Sequence, residues 1–231
     1  MSLQVEIIHQ IITGLRAGTI SGGGLEGKSF DKVIYTGHSY GSICGNALAA
    51  TYPSDVDTYV LTGYTGEFIL GLVPLAAGIA IPAATVMSRF SDLAVGYLAQ
   101  SVEPGRVYGL YTVDNVGGYD PYVAQYDFEN EGTVAIGELA TLFYGVTPAD
   151  NYTGSVFVIT GKQDAIVCNG VLGADCGEGS TSKVADAAKF FPSASDYSYY
   201  IPDMTGHSAN LHYSAQGSFK MAHDYLAAQG Y

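Results

Sequence analysis

Val33-Ile34-Tyr35-Thr36 runs directly into Gly37-His38-Ser39-Tyr40-Gly41, and the reading of this stretch decides the fold. Its first four residues are β-branched or aromatic, which predicts a short buried strand. Beyond them Gly41, Gly45 and Ala49 fall at four-residue spacing, predicting a helix whose small-residue face lies close on a sheet. Between strand and helix stands Gly-x-Ser-x-Gly, the pattern of a sharp turn that holds a serine hydroxyl above a sheet. Both glycines are expected to be required, because such a turn leaves no room for side chains beside Ser39. In a chain with 30 glycines the bare pattern carries little weight. Its position between a β-rich run and a small-faced helix gives it meaning.

Outward from this turn the chain alternates strands and helices. Leu3, Ile7 or Ile8, Ile11 or Ile12 and Leu15 recur every three to four residues, a helix with one buried face that runs to Ala17 and is broken by Ser21-Gly22-Gly23-Gly24. Further strands are read at Tyr59–Thr62, Ser155–Thr160 and Tyr197–Ile201. Strands separated by helical stretches imply an α/β fold, a parallel sheet with crossover helices. Residues 65–145 read as an inserted, mainly helical cap, leaving 1–64 and 146–231 as the core. Within the insertion, Phe68 to Met87 is almost wholly apolar. It is punctuated by Gly71, Pro74, Gly78 and Pro82, so no membrane span is expected. A pair of cap helices lining an apolar pocket is expected instead, with a plain structural helix as the other reading.

A serine hydroxyl becomes a useful nucleophile when a histidine takes its proton and a carboxylate orients that histidine. Both partners are expected at strand ends downstream. The strand Ser155–Thr160 runs into Gly161-Lys162-Gln163-Asp164, and the last strand runs into Pro202-Asp203-Met204-Thr205-Gly206-His207. Asp164 and His207 are therefore the candidates. His212 and His223 are read as helical, away from the sheet edge; Asp175 and Asp186 lie in or beyond the cysteine-bounded loop, and Asp203 stands too near His207 in sequence. His38 is expected to pack beside the turn without titrating.

Together the stretches TGHSYGS (36–42), ITGKQDAIVC (159–168) and DMTGHSANLHYSA (203–215) resemble the α/β-hydrolase superfamily, and more narrowly its secreted fungal serine hydrolases with a helical cap. The resemblance runs from Leu3 onwards. It implies hydrolysis of carboxylic esters or related acyl substrates through an acyl-enzyme, with Ser39, Asp164 and His207 as the triad and the backbone N–H of Tyr40 as an oxyanion donor. The implied partner is a small, apolar ester, and no metal or organic cofactor is called for. Epoxide hydrolases and dehalogenases of similar outline place an aspartate where Ser39 stands. At the front the chain departs from the family, which carries about four strands and a helix earlier and takes a second oxyanion N–H from the loop after the third. Ser21–Gly24 is read as a connecting loop, not a substitute. The expectation is a truncated core that, expressed alone, is poorly soluble and nearly inactive. The alternative is a catalytically impaired remnant or fragment.

Composition narrows the partners. Hydrophobic residues make up 48% and charged residues 13%, which excludes disorder and coiled coil. Nine Lys and Arg against 22 Asp and Glu give a net charge of −13 with no basic run, so neither nucleic acid nor an anionic membrane surface is expected as a partner. Cys168 and Cys176, in CNGVLGADC, suit a short disulfide loop, while Cys44 sits among small and apolar residues as a packing residue. The opening MSLQVEIIHQ does not read as a signal peptide, but the cysteine pair and the sequon Asn151-Tyr152-Thr153, a candidate glycosylation site, lead to the expectation of a longer, secreted form.

Overall fold

A computed structural model describes residues 1–67, 72–111, 117–168 and 175–231 of the chain. Its first helix, α1 (Ser2–Ala17), ends at Gly18 in the left-handed conformation, φ 68°. Strand β1 (Ile34–His38), helix α2 (Tyr40–Thr51) and strand β2 (Thr58–Thr62) follow as one βαβ unit. The insertion then holds α3 (Leu72–Ala76), β3 (Ala80–Pro82), β4 (Tyr97–Gln100), α4 (Glu103–Leu110), α5 (Pro121–Glu129), β5 (Val134–Ala135) and α6 (Ile136–Ala140). After it come β6 (Ser155–Ile159), α7 (Lys183–Asp186), β7 (Asp196–Tyr200) and α8 (Ala215–Ala228).

The main sheet has four parallel strands in the order β1-β2-β6-β7. Alternation within the fully buried strands β2 and β6 sends side chains to two layers. Tyr59, Leu61, Val156 and Val158 join α1, α2 and Phe191 in the larger core, whereas Val60, Phe157 and Ile159 meet Tyr225 and Leu226 of α8. Gly45 is needed where α2 crosses β1: a Cβ there would stand 2.7 Å from the Tyr35 ring. Among the described residues β1 is an edge strand, and Ile34, Thr36 and His38 on its α8-facing side remain exposed.

The insertion differs in detail from the sequence reading. Its apolar stretch is not a helix pair: α3 is one short turn, β3 follows, and Phe68 to Gly71 lie outside the described residues. Pro74, Gly78 and Pro82 explain the break, since none sustains a long helix. β3 pairs antiparallel with β4, and β4 with β5, in a small second sheet. No helix among the described residues is long and apolar enough to cross a membrane.

Candidate active site

The turn after β1 puts Ser39 at φ 52°, ψ −115°, an unfavourable conformation for a residue with a Cβ. Several bonds hold it. Ser39 N–H donates to Thr62 O at 2.8 Å, and the buried Ser42 hydroxyl sits 2.9 Å from Gly37 O, 2.8 Å from Thr62 O and accepts from Thr62 N–H. Tyr35 donates its hydroxyl to Gly41 O at 2.7 Å, fastening the far side of the turn. The expectation that both glycines are sterically required is half corrected. A Cβ on Gly37 would meet the Gly41 carbonyl carbon and oxygen at 2.6 Å, but one on Gly41 would stand in open space.

Asp164, fully buried in the turn after β6, uses both carboxylate oxygens. Its Oδ1 accepts from the backbone N–H groups of Ile166 at 3.0 Å and Val167 at 3.1 Å, and its Oδ2 lies 2.8 Å from Nδ1 of His207. His207, nearly buried in the loop after β7, has its Nε2 2.7 Å from Ser39 Oγ. With Nδ1–H donated to Asp164, Nε2 is left to accept from the Ser39 hydroxyl. The three residues picked from strand ends are thus brought into one hydrogen-bonded row.

Neighbouring backbone supports that row. Gln163 N–H donates to Thr205 O and Ser208 N–H to Leu110 O, tying the loop of His207 to that of Asp164 and to α4. Gly63, at φ 57°, leaves space for imidazoles: a Cβ there would stand 3.0 Å from Cε1 of both His207 and His38. His38 bonds Thr62 Oγ1 through Nδ1, and its ring centre is 5.0 Å from that of His207. Part of the His38 ring is open to solvent and part packs in protein. That desolvation, with His207 second, holds its pKa below the usual imidazole range.

The rival residues lie elsewhere. His212 precedes α8 and is not helical, because it follows a single 3₁₀ turn, Ala209–Leu211. It is buried, with Nδ1 2.9 Å from Ser208 O and Nε2 3.0 Å from Gly206 N–H. An Nδ1–H tautomer satisfies both, so His212 clamps the two neighbours of His207. His223 is exposed on α8, and Asp175, Asp186 and Asp203 point to Lys162, Lys189 and Gln163 respectively.

Tyr40 is the first residue of α2, so its N–H has no acceptor within the helix. Ser21–Gly24 forms an exposed turn and contributes no residue to the cavities beside Ser39. One of these is a cavity of about 350 Å³, lined by Ser39, Tyr40 and mostly apolar side chains, among them Ile43, Leu98, Leu142 and Val167. A second opens on His38, Ser39 and His207, and Arg106 borders both. Neither Arg106 nor the polar residues around it stood out in the sequence.

Cys168 and Cys176 form a disulfide close behind Asp164, whose carbonyl accepts from Cys168 N–H; residues 169–174 lie outside the described residues. Cys44 is buried with its Sγ 3.4 Å from the sulfur of Met1, and desolvation pushes its thiol pKa up to about 11, as suits a packing residue. Asn151 is exposed.

No family model and no curated protein matches the sequence. Solved structures do match. A monoacylglycerol lipase of Paleococcus ferrophilus superposes with a TM-score of 0.58 at 13% identity, over 97% of this chain and 74% of its own. A structure from a study of carboxylesterases of Nitrososphaera gargenis gives 0.58 at 13%, over 98% and 71%. A marine microorganism esterase gives 0.54 at 12%, over 98% and 76%. At such identities the likeness establishes the fold: the chain has the α/β-hydrolase fold.

Proposed function

We propose that this protein is a serine hydrolase of carboxylic esters, with Ser39 as nucleophile, His207 as general base and then acid, and Asp164 as the orienting carboxylate. The observation that carries the reading is the continuous row from Asp164 Oδ2 through His207 to Ser39 Oγ, at 2.8 and 2.7 Å, opening on an apolar cavity. As Ser39 Oγ attacks the acyl carbonyl, its proton passes to His207 Nε2, and the imidazolium is stabilised by the buried Asp164. Tyr40 N–H donates to the developing oxyanion at the positive end of α2. The alcohol leaves with the proton from His207. Water activated by the same imidazole then releases the acid and restores Ser39.

Support for an apolar small-molecule substrate comes from the lining of the cavity. The disulfide and the exposed sequon at Asn151 support an oxidising, secretory compartment. The insertion, residues 65–145, acts in this reading as the cap, because α4 and β4 supply cavity walls. A second reading, an assembled triad with weak turnover, is favoured by the place of Ser21–Gly24, which leaves Tyr40 N–H without help from that loop. Loss of one of two oxyanion donors costs about 10² to 10³ in rate. Hydrolysis of short p-nitrophenyl esters tests the proposal. Saturable turnover that disappears in Ser39→Ala supports it, turnover reduced to about that extent supports the second reading, and equal rates in both proteins refute both.

A further inference from the structure

The cavity lined by Ser39 and Tyr40 is mostly apolar, and its charged groups, Arg106 and Glu131, lie together. Arg106, on α4, has a side chain only 15% exposed and borders both openings around Ser39. Its Nε and Nη2 bond Asp127 at 3.0 and 2.9 Å, and its Nη1 bonds Gln100 Oε1 at 2.7 Å and Glu131 Oε2 at 3.0 Å. Those contacts use four of the five guanidinium N–H groups and leave one on Nη2. Glu131, 5% exposed and also part of the cavity wall, has its other oxygen, Oε1, buried with no hydrogen-bond partner. Its backbone is pinned by Arg89, which donates to the carbonyls of Glu129 and Glu131 at 2.6 Å.

Stability does not explain this cluster. Burying an arginine between two carboxylates costs desolvation that a well-packed apolar replacement avoids, and an unpartnered buried oxygen adds to the cost. Desolvation in fact raises the Glu131 carboxyl pKa despite the adjacent Arg106. A spare donor on Arg106 and a spare acceptor on Glu131, two residues bonded to each other in a mostly apolar wall, match a group that can both accept and donate.

We propose that the site is selective for esters whose acyl chain carries a hydroxyl group, which accepts from Arg106 Nη2–H and donates to Glu131 Oε1. This rests on the serine hydrolase reading and adds the substrate class. The rest of the chain is taken up by the apolar wall, and a small turn of the Glu131 carboxylate brings Oε1 to the ligand. An acyl chain without the hydroxyl leaves both polar groups unpaired, the basis of strong discrimination in sites built to bond a hydroxyl.

The test compares kcat/KM for p-nitrophenyl esters of straight-chain acids of six to ten carbons with their ω-hydroxy and ω-methoxy counterparts. At the best-fitting length the hydroxy ester is expected to exceed the plain ester by about tenfold or more, with the methoxy ester, which accepts but does not donate, well below it. Glu131→Met and Arg106→Met should each bring the hydroxy-to-plain ratio to about two or less, with thermal melting reporting whether each variant folds. If the wild type turns over plain esters and prefers no hydroxy ester at any length, the selectivity is wrong while the hydrolase reading stands. If no ester is turned over and a fluorophosphonate leaves Ser39 unlabelled, the hydrolase reading itself has failed.

Discussion

Ser39 Oγ and His207 Nε2 stand 2.7 Å apart although 168 positions separate them in the chain. That approach is a property of the parallel sheet. β1 and β7 end on the same side of it, and the turns after β1, β6 and β7 each deliver one side chain to a common point. The geometry makes the three residues one unit, so their substitutions should not be independent. Ser39→Ala and His207→Ala are each expected to lower ester hydrolysis by at least about 10³-fold, with the double variant little worse than either. Steady-state kinetics check this; a double variant that multiplies the two losses would mean that the residues act separately.

His212 makes a sharper contrast. Its ring clamps Gly206 and Ser208 on either side of His207, so His212→Ala should cost about 1–3 kcal/mol of stability through the groups left unpaired. Activity per folded molecule should fall far less than in His207→Ala. Chemical denaturation with active-site titration separates the effects. His212→Ala as inactive as His207→Ala, with unchanged stability, would make His212 the base.

The turn before α2 predicts opposite fates for its two glycines. Gly37→Ala forces a Cβ against the Gly41 carbonyl and should abolish folding or activity, whereas Gly41→Ala adds a Cβ in open space within a helix and should be neutral or stabilise by up to about 1 kcal/mol. Melting curves of the pair decide it. A tolerated Gly37→Ala would mean that the turn relaxes more than its hydrogen bonds suggest.

Closing a short loop directly after Asp164, the Cys168–Cys176 disulfide should contribute roughly 2 to 3 kcal/mol. The Cys168→Ser/Cys176→Ser variant should unfold at correspondingly lower denaturant. Two free thiols in protein made under oxidising conditions would remove both this stabilisation and the argument for secretion.

The edge at β1 predicts association. Ile34 and Thr36 lie exposed there, and Leu3, Ile7 and Ile11 form an exposed apolar stripe along α1. Unpaired edges of this kind attract further strands. The chain should self-associate at micromolar concentrations and above, and Ile7→Glu with Thr36→Lys should reduce it. Sedimentation velocity reads the outcome; a monodisperse, monomeric wild type would show that the edge is harmless.

Much of this architecture was legible from short-range patterns. Val156, Phe157, Val158 and Ile159 form a β-rich run buried on both faces, and such a run betrays its strand; the strands of the main sheet were found to within two residues at each end. The placing of Asp164 and His207 just past strand ends was legible because each follows a β-rich run. The second sheet was not, because β3, β4 and β5 are too short for any period to show and draw their stability from pairing with one another. Arg106 escaped notice for a similar reason. Gln100, Asp127 and Glu131 reach it from different elements, and no spacing rule links them.

Labelling with a fluorophosphonate, followed by peptide mass spectrometry, tests the central claim most directly, because covalent capture requires the serine, its base and an open approach together. The account predicts one probe per chain on Ser39, no label in Ser39→Ala and strongly slowed labelling in His207→Ala. A folded wild-type protein that remains unlabelled, or that carries the probe on another residue, would contradict it.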